Sequence, residues 1–489
     1  MENANPGSER DERLKKLEAL KEKGLNPYPA KSNRNISVAE VLASFDDLNE
    51  SQKELIIGGR LRTLRTHGNL TFANLQDGKD QIQIAISKKE VGDEAYKLFI
   101  KFIDMGDFVE VRGACFTTHK GEKSVMAKKW QLLTKTLRPM PEKWHGLSDE
   151  DEKLRRRYLD IMLNREVYEM IEKRSKFWQA TRNFLHDHGF LEVETPVLET
   201  TTGGADAKPF VTHHNALDID VFLRISMGEL WQKKLMVAGF PKTFEIGRQF
   251  RNEGMDAEHL QDYTQLEFYW AYADYEELMK FLEKFYRFVI KQTTGGLVTL
   301  RDGQKINWDT KWPRHDYVAL FRKAAGLDPV AATEKELCQK ALALRLKPKK
   351  NASKGRLIDL IYKKTVRPKL IQPSFLVNLP VEISPLAKKV NQNPQVTERI
   401  LVMAGGTELG NGFSELNDPV DQRQRFEQQQ KLREAGDEEA QMYDRDFVEA
   451  LEYGMPPTAG FGLSERLFAF LLDKPIRETV LFPMMGEKK

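Results

Sequence analysis

The sequence predicts an α+β protein in two parts, a small β-barrel followed by a larger domain in which helices and strands alternate. Two observations predict this division. Between residues 55 and 137, apolar residues recur with a period of two in short segments that are separated by turn residues. Beyond Arg138-Pro139-Met140-Pro141, helical and strand patterns alternate along the rest of the 489-residue chain, without an internal repeat.

Composition excludes several classes of protein. Aromatic residues make up 10% and charged residues 30%, which excludes a largely disordered chain. No apolar run approaches the roughly 18 residues that a membrane-spanning helix needs, and the first residues lack the apolar core of a secretory signal. The net charge of +3 does not by itself indicate a nucleic-acid partner. Because Cys115 and Cys338 lie far apart, we expect no zinc ribbon or disulfide framework. The lack of a long apolar run and of a secretory signal leads us to expect no membrane association and a cytoplasmic location.

Residues 1–54 are predicted to hold a charged helix and a linker. Leu14, Leu17 and Leu20 are spaced for one face of a helix over residues 8–24, which Gly24 would end. The Asn26-Pro27-Tyr28-Pro29 segment then stops regular structure.

Residues 55–137 are predicted to form an OB-type barrel of about five strands. The segment 81–86 alternates strictly between polar and apolar residues, and 108–113 and 124–127 also have strand patterns. Such barrels often bind single-stranded nucleic acid, and here Arg60, Arg62, Arg65 and His67 lie close to Phe72, which suits phosphate neutralisation and base stacking. The sequence leaves open the alternative that these strands are merely basic and that Phe72 lies in the core.

After a predicted linker at residues 138–164, a long helix is predicted over residues 165–188. Apolar residues on one helical stripe indicate it, and His188-Gly189 would end it. The segment 191–196 is then predicted as a strand that Pro196 ends. Neither GxxxxGK[ST] nor GxGxxG occurs, so neither a P-loop nor a Rossmann nucleotide site is expected.

Residues suited to binding charged ligands are concentrated in a few segments of the second part. A predicted strand at 263–270 places Tyr263, Gln265, Glu267 and Tyr269 on one face, which suits a polar, cationic ligand. Four further segments combine glycines, arginines and acids: 202–210, 244–254, 408–418 and 459–467. Each has an ordinary structural explanation, such as a surface ion pair for Arg251. Together they have the composition of a nucleotide-activating site without a P-loop.

These segments resemble the three signature motifs of class II aminoacyl-tRNA synthetases, and specifically the lysyl-tRNA synthetases of the bacterial and eukaryotic type. Residues 189–196 resemble motif 1, 250–254 motif 2 and 460–466 motif 3, and the Gly-Asn-Gly-Phe-Ser-Glu-Leu-Asn-Asp run at 410–418 is close to the lysine enzymes. The resemblance covers nearly the whole chain. It implies that residues 165–489 form a catalytic domain built on an antiparallel sheet flanked by helices, and that the chain forms a homodimer.

The resemblance also implies an activity and residue roles. The chain would convert L-lysine and ATP to lysyl-adenylate with Mg²⁺ and transfer the lysyl group to the 3′ end of tRNA(Lys). The implied catalytic residues are Arg251 and Arg466. The implied ATP-binding residues are Arg251, Glu253, His259, Tyr263, Glu408 and Arg466, with Glu408 also the metal ligand. The implied lysine-binding residues are Gly204, Glu229, Glu267, Tyr269, Asn411 and Glu415. The implied anticodon-binding residues are Arg65, Phe72 and Gln83.

The sequence departs from the family pattern at four places. Leu401 occupies the usual position of a second magnesium-binding glutamate, and Glu258 that of an arginine beside the loop histidine. The match of Glu229 requires a one-residue gap, and motif 3 is one residue shorter than usual. Three alternatives stay open: a synthetase-like RNA-binding or regulatory protein without aminoacylation, a synthetase paralogue that lysylates a protein, and an aspartate- or asparagine-specific relative.

Overall fold

The computed structural model describes residues 8–140, 149–254, 259–349, 352–437 and 439–487. The chain divides into two compact units, one of residues 1–153 with 158–168 and the other of residues 154–157 with 169–489. Within the described residues, no helix has the length and apolar character needed to cross a membrane.

Sixteen α-helices occur in the described part of the chain. In order they are α1 Glu9–Glu22, α2 Val38–Ala43, α3 Phe45–Ser51, α4 Lys88–Val91, α5 Asp93–Phe102, α6 Glu150–Arg155, α7 Arg157–Leu163, α8 Arg165–Asp187, α9 Glu229–Val237, α10 Tyr275–Thr294, α11 Tyr317–Ala325, α12 Glu334–Ala343, α13 Lys354–Thr365, α14 Pro419–Glu434, α15 Arg445–Glu452 and α16 Arg466–Leu471.

Nineteen strands occur in the same residues. In order they are β1 Leu55–His67, β2 Leu70–Asp77, β3 Asp80–Ser87, β4 Phe108–Thr117, β5 Lys123–Thr134, β6 Leu191–Glu192, β7 Leu198–Glu199, β8 Val211–His214, β9 Ile219–Leu223, β10 Lys242–Phe250, β11 Asp262–Ala271, β12 Val298–Arg301, β13 Gln304–Asn307, β14 Arg314–Asp316, β15 Ser374–Pro380, β16 Lys389–Val390, β17 Asn393–Ala404, β18 Thr407–Ser414 and β19 Thr458–Ser464.

The first unit contains a closed five-stranded barrel with the strand order β1-β2-β3-β5-β4. The alternating residues of these strands explain its core, because Ile57, Leu75, Ile84 and Val111 all point inward and are fully buried. Helix α5 covers the barrel core with its apolar face, which includes Phe99. The predicted OB-type barrel is therefore confirmed.

The second unit is built on a large sheet with the order β14-β15-β17-β18-β19-β11-β10-β6, to which β16 adds beside β17. Its neighbouring strands are antiparallel except at the two edges, where β14 pairs with β15 and β10 with β6 in parallel. Helix α10 buries a long apolar face against the sheet. The predicted α+β class is confirmed, with a sheet that is antiparallel in its centre and mixed at its edges.

Helices α11, α12 and α13 have an apolar core of their own. Phe321, Leu337, Ile358 and Ile361 form it, and all four side chains are fully buried. Leu401 on strand β17 belongs to the same cluster. This helical layer therefore packs on strands β15 and β17 of the large sheet.

The predictions for segments 191–196 and 138–164 differ from the structure in detail. Only Leu191–Glu192 pairs as a strand. The Val193 amide still donates to the Phe244 carbonyl at 2.8 Å, but at Thr195 a side chain takes over, because the Thr195 hydroxyl donates to Glu245 Oε2 at 2.6 Å. Within residues 138–164, the described part is largely helical, since α6 and α7 begin at Glu150 and Arg157. The helices predicted over 8–24 and 165–188 are present as α1 and α8.

Candidate active site

A cavity of about 310 Å³ lies over the centre of the large sheet, with strands β11, β18 and β19 in its wall. Ten of the twelve site residues predicted in the second unit line it. They are Gly204, Glu229, Arg251, Tyr263, Glu267, Tyr269, Glu408, Asn411, Glu415 and Arg466. Residues from segments more than 200 positions apart in sequence are thus brought together in one cavity.

Strand β11 provides the floor of the cavity, as its alternation predicts. Tyr263, Gln265, Glu267 and Tyr269 all line the cavity, because every second side chain of a strand points to the same face. Phe268 points the opposite way and is fully buried in the core between sheet and helix. The predicted polar face of this strand is therefore a cavity surface.

Glu267 is held in place by three hydrogen bonds. The Met227 amide and the Gln265 side-chain amide donate to Oε1 at 3.0 and 2.6 Å, and the Tyr269 hydroxyl donates to Oε2 at 3.0 Å. Burial, with a smaller contribution from the nearby carboxylate of Glu229, raises the pKa of Glu267 to about 7. This carboxyl group is therefore fixed in position and poised to gain or lose a proton near neutral pH.

Glu415 lies just after strand β18 and is 1% exposed. Its Oε1 has no hydrogen-bond partner among the described residues. A Cβ atom at Gly460 would come within 2.0 Å of this oxygen and within 2.6 Å of the Tyr269 ring, so glycine is required there. Burial raises the pKa of Glu415, and Lys233 counteracts that shift. Glu415 is therefore a buried carboxyl group with one oxygen left for a ligand.

Helix α9 contributes Glu229 to the cavity wall, close to the glycine of the 202–210 loop. A Cβ atom at Gly204 would approach the Glu229 Cβ to 2.8 Å and the Ser226 hydroxyl oxygen to 2.5 Å, and the Gly204 φ angle is +85°. Both the space and the backbone conformation therefore require glycine. Lys233, one turn further along α9, bridges Glu229 and Glu415.

Two arginines lie on another part of the cavity wall. Arg251 follows strand β10, its amide donates to the Gln261 carbonyl at 2.7 Å, and its Nε donates to the Ile225 carbonyl at 3.3 Å. The Arg251 guanidinium carbon lies 5.7 Å from the Tyr263 ring centroid. Arg466 is the first residue of α16, which follows the glycine-rich strand β19 after one residue, Glu465. The cavity therefore has cationic groups as well as buried acids in its wall.

A β-bulge brings Glu408 and Asn411 to the same face of strand β18. These residues are three positions apart and would point to opposite faces of a regular strand. Opposite β18, however, Val402 pairs with Gly410 and Met403 with Glu408, which leaves Leu409 as an extra residue. As a result both Glu408 and Asn411 line the cavity.

Leu401 is paired with Asn411 across the sheet and is buried in the apolar cluster of the helical layer. This position therefore offers no metal ligand. Among the described residues, no cluster of three or more acidic, histidine or cysteine side chains could hold a metal ion. The carboxylate of Glu408 is the predicted metal ligand that lines the cavity.

Sequence reasoning missed two residues of this site, Lys233 and Arg399. The Arg399 Nε donates to Asn411 Oδ1 at 2.8 Å, and its Nη1 donates to the Ser384 hydroxyl at 3.2 Å, so Arg399 orients the Asn411 amide. A charged residue that begins the apolar run 400–404 was the available signal for Arg399. Lys233 had no signal, because one lysine on a polar helix pattern is unremarkable.

Two predicted ATP-binding residues are not among the lining residues in the described part of the cavity. Glu253 is half-buried two positions beyond Arg251, and the Gln261 side-chain amide donates to its carbonyl at 3.4 Å. His259 is exposed at the start of the segment that leads into β11. Glu258, named for its departure from the family pattern, lies outside the described residues. The roles assigned to Glu253 and His259 stay predictions.

The barrel brings its three predicted anticodon-binding residues to one face. Arg65 on β1 and Phe72 on β2 are directly paired, and Phe72 is paired with Ala85 on β3, two residues from Gln83. Phe72 is half-buried and does not belong to the barrel core cluster. The Gln83 side-chain amide donates to the Ser124 hydroxyl at 2.9 Å. The barrel therefore presents a cation, an aromatic ring and an amide side by side.

Comparison with known proteins agrees with both units. Residues 149–486 match the family model described as tRNA synthetases class II (D, K and N), and residues 55–133 match that of the OB-fold nucleic acid binding domain. The lysine–tRNA ligase of Moorella thermoacetica is 45% identical over 480 residues, which cover 98% of this chain and 97% of that protein. Those of Pelotomaculum thermopropionicum and Thermotoga maritima are 44% and 42% identical, cover 98% of this chain, and are themselves covered over 94% and 96% of their length.

The geometry of the cavity, the barrel and these similarities agree. Motif-like segments scattered over the sequence meet in one cavity on a largely antiparallel sheet, and the family model spans that whole unit. The chain therefore belongs to the class II tRNA synthetases of the D, K and N group and carries an OB-fold nucleic acid binding domain ahead of its catalytic domain.

Proposed function

We propose that this chain is a lysine–tRNA ligase, which activates L-lysine with ATP to lysyl-adenylate and transfers the lysyl group to the 3′ end of tRNA(Lys). One observation carries the proposal: three buried carboxyl groups, those of Glu229, Glu267 and Glu415, surround one end of a cavity that also contains two arginines. Relatives that are 42–45% identical over nearly the whole chain are lysine–tRNA ligases, which supports the same conclusion.

The three acids suit lysine because this amino acid carries two ammonium groups. Glu415 Oε1 and the Tyr269 hydroxyl are the acceptors for the side-chain ammonium at the buried end. Glu229, which lies close to Gly204, and Glu267, which lines the same cavity, are the acceptors for the α-ammonium. Asn411, which Arg399 orients, completes the pocket. An aspartate- or asparagine-specific relative would need cationic or neutral groups where Glu415 and Glu267 lie.

Activation requires negative charge to be concentrated around the α-phosphorus of ATP. The lysine carboxylate attacks this phosphorus and pyrophosphate leaves, so the transition state is stabilised chiefly by alignment and by positive charge. Arg251 is the group proposed to bind both the carboxylate and the α-phosphate, since a guanidinium suits both. Arg466, which also lines the cavity, is assigned to the nucleotide. Tyr263 would stack on adenine.

Glu253 and His259 complete the proposed nucleotide site. Glu253 would accept a hydrogen bond from the adenine amine, and His259 would reach the outer phosphates. Both lie in the polypeptide between strands β10 and β11, whose ends carry Arg251 and Tyr263.

The residues around Glu408 suit one magnesium ion that is anchored by a single carboxylate. Magnesium is typically held by one or two carboxylates, with waters and substrate phosphates completing its coordination. Glu408 lines the cavity, whereas the apolar, buried Leu401 provides no second carboxylate. Magnesium bound there would neutralise phosphate charge. We therefore propose Glu408 as the metal ligand from this chain.

The barrel face of Arg65, Phe72 and Gln83 is proposed to bind the anticodon. Phe72 offers a half-buried ring for stacking, and Arg65 beside it offers positive charge for the phosphates. Gln83 offers hydrogen bonds to base edges. We also infer a cytoplasmic location, which the free thiols of Cys115 and Cys338 support.

A homodimer is also proposed, on the basis of apolar side chains exposed on the small sheet β7-β9-β8. Leu198 is 51% exposed, Val211 58% and Ile219 38%. Leu198, paired with Leu223, and Ile219, four residues from Leu223, share one face of this sheet, whereas Val211, paired with Phe222, lies on the other. Exposed apolar side chains are typical of a surface that a partner covers. Leu191 in the motif-1-like segment is likewise exposed. Sedimentation equilibrium of the full chain should give twice the 56.4 kDa chain mass. A monomer at micromolar concentration would contradict this part of the proposal.

Amino-acid-dependent ATP–pyrophosphate exchange across the twenty amino acids tests the proposed function. We expect exchange with lysine alone and with a requirement for magnesium. Exchange with aspartate or asparagine would identify a relative with another substrate. Exchange with no amino acid, together with retained tRNA binding, would identify an RNA-binding protein that does not aminoacylate.

A further inference from the structure

We propose that Lys233 determines amino-acid specificity, as a built-in ammonium group that shares the Glu415 carboxylate with the side-chain ammonium of the substrate. This inference rests on the proposed lysine activation and adds to it a residue to which no role has been assigned above. Lys233 compensates one negative charge of the pocket, so that the charge that remains is neutralised by an amino acid with two ammonium groups.

Lys233 is a buried cation that is surrounded by acidic side chains and aromatic rings. Its side chain is 1% exposed, and Nζ lies 2.7 Å from Glu229 Oε1 and 2.5 Å from Glu415 Oε2. The ring centroids of Phe413, Phe447 and Tyr269 lie 5.2, 5.8 and 5.9 Å from the same nitrogen. Carboxylates and aromatic faces both stabilise a buried ammonium group.

The protonation state of Lys233 follows from these neighbours. Burial alone lowers the pKa of Lys233, but Glu229 and Glu415 outweigh that effect and raise the pKa above its ordinary value. These neighbours therefore stabilise the charged form of Lys233.

The two oxygens of Glu415 divide between two cations. Neither oxygen has a hydrogen bond of regular geometry among the described residues, but Oε2 lies 2.5 Å from Lys233 Nζ in an ion pair, and Oε1 lies beside Gly460, which lines the cavity. An ammonium group of a ligand can therefore reach Oε1 while Lys233 keeps Oε2. This geometry favours a Glu415 carboxylate that is shared by Lys233 and the substrate. Displacement is less favourable, because the substrate would have to move the buried Lys233 ammonium group away from Glu415.

The charges of the pocket then match lysine. Glu229, Glu267 and Glu415 carry three negative charges when ionised, and Lys233 compensates one of them, which leaves two. The α-ammonium and the side-chain ammonium of lysine supply two positive charges, and the lysine carboxylate is left for Arg251. An amino acid with a neutral side chain would leave one buried carboxylate uncompensated, which is unfavourable.

Removal of Lys233 would leave three facing carboxyl groups for two ammonium groups. The charged and titratable groups that face Lys233 are Glu229 from α9, Glu267 and Tyr269 from β11, and Glu415 from the end of β18. Without the lysine, one of the acids would hold a proton, which lysine binding must then expel. Lysine binding would become weaker and newly dependent on pH.

Steady-state lysine-dependent pyrophosphate exchange with the full-length chain tests this role between pH 7 and 9. We expect Lys233→Met to raise the KM for lysine at least roughly tenfold at pH 7.5 and to leave the KM for ATP unchanged. The lysine KM of this variant should then fall by up to roughly tenfold per pH unit, because one proton is released on binding. Wild type should change much less over the same range.

Two matched variants separate charge from packing. Lys233→Arg keeps the charge and should restore the lysine KM to within roughly tenfold of wild type, with the wild-type pH profile. Lys234→Met removes the adjacent lysine of α9, whose Nζ lies over the Trp231 ring, and should leave the lysine KM unchanged. Thermal unfolding checks that each variant is folded. If Lys233→Met does not fold, the lysine KM and pH profile of Lys233→Arg test the proposal.

Three outcomes would overturn the inference. In Lys233→Met, an unchanged lysine KM would show that the residue has no role in specificity, and a lower lysine KM would show that Lys233 competes with the substrate. A loss of lysine activation by Lys233→Arg as severe as that by Lys233→Met would show that the charge is not what matters. The proposed function fails separately, when the wild-type chain shows no lysine-dependent exchange.

Discussion

The barrel face and the cavity are two sites built on opposite principles. Arg65, Phe72 and Gln83 lie on three consecutive strands of one local hairpin arrangement, at the surface, and their register alone brings them together. The cavity instead joins distant segments, and its acids Glu267 and Glu415 are almost completely buried. A surface site therefore depends mainly on which side chains are present, whereas a buried site also depends on how its charges compensate one another.

The largest effect should come from breaking the buried site at its least exposed acid. Glu415→Gln keeps the shape but removes the charge that pairs with an ammonium group, and truncating one partner of a buried ion pair costs about 4 kcal/mol. We expect lysine-dependent pyrophosphate exchange to fall by roughly a thousandfold in kcat/KM.

The control for this change is Glu427→Gln, at an exposed position of α14. It should exchange at the wild-type rate. Unaltered exchange by Glu415→Gln, with Glu427→Gln also normal, would remove Glu415 from the lysine pocket. Equilibrium tRNA binding should be the same in both variants, since the barrel is untouched.

A second test fills the space that Gly460 leaves open. The added methyl group of Gly460→Ala would meet Glu415 Oε1 and the Tyr269 ring at distances that no side chain tolerates, and overpacking of this kind costs roughly 1–3 kcal/mol. We expect the lysine KM to rise by up to roughly a hundredfold and the thermal midpoint to fall. Gly296→Ala, which meets no atom within 4 Å, is the control for both measurements. A normal lysine KM would mean that Glu415 does not need its present position.

The same comparison predicts a smaller and separable effect in the barrel. Phe72→Ala removes the stacking ring, which is worth roughly 1–3 kcal/mol per base, and should lower kcat/KM for tRNA charging at least roughly fivefold while pyrophosphate exchange stays at the wild-type rate. Phe72→Trp keeps an aromatic face and should charge tRNA nearly normally. An equal loss of both activities in Phe72→Ala would contradict the separation of the two sites.

The smallest expected effect is a pH dependence that only the cavity should show. Because the pKa of Glu267 is raised to about 7, this acid is ionised above that pH and protonated below it. Ammonium binding needs the ionised form, so the lysine KM of the wild-type chain should rise roughly fivefold between pH 7 and pH 6. The pH profile of exchange at limiting lysine measures it. A lysine KM that falls toward pH 6 would reverse the sign and remove Glu267 from ammonium recognition.

The sequence alone predicted the features that depend on the apolar periodicity of single segments. Strand alternation predicted the barrel and the shared face of Tyr263, Gln265, Glu267 and Tyr269, because one strand needs no knowledge of its neighbours. Resemblance to a family predicted Glu415 and Arg466, whose positions in one cavity depend on tertiary structure. Lys233 escaped both approaches, since its significance arises only from the acids of two other segments that close around it.

The bulge at Leu409 has a consequence for how this protein tolerates change. The extra residue Leu409 reverses the side-chain alternation of strand β18, so that Glu408 and Asn411, three positions apart, both line the cavity. Glu408 is proposed to bind the metal and Asn411 the amino acid. Deletion of Leu409 would preserve every functional group in the chain while turning one of the two away from its substrate. The face to which a strand side chain points therefore depends on the number of residues before it as well as on its identity.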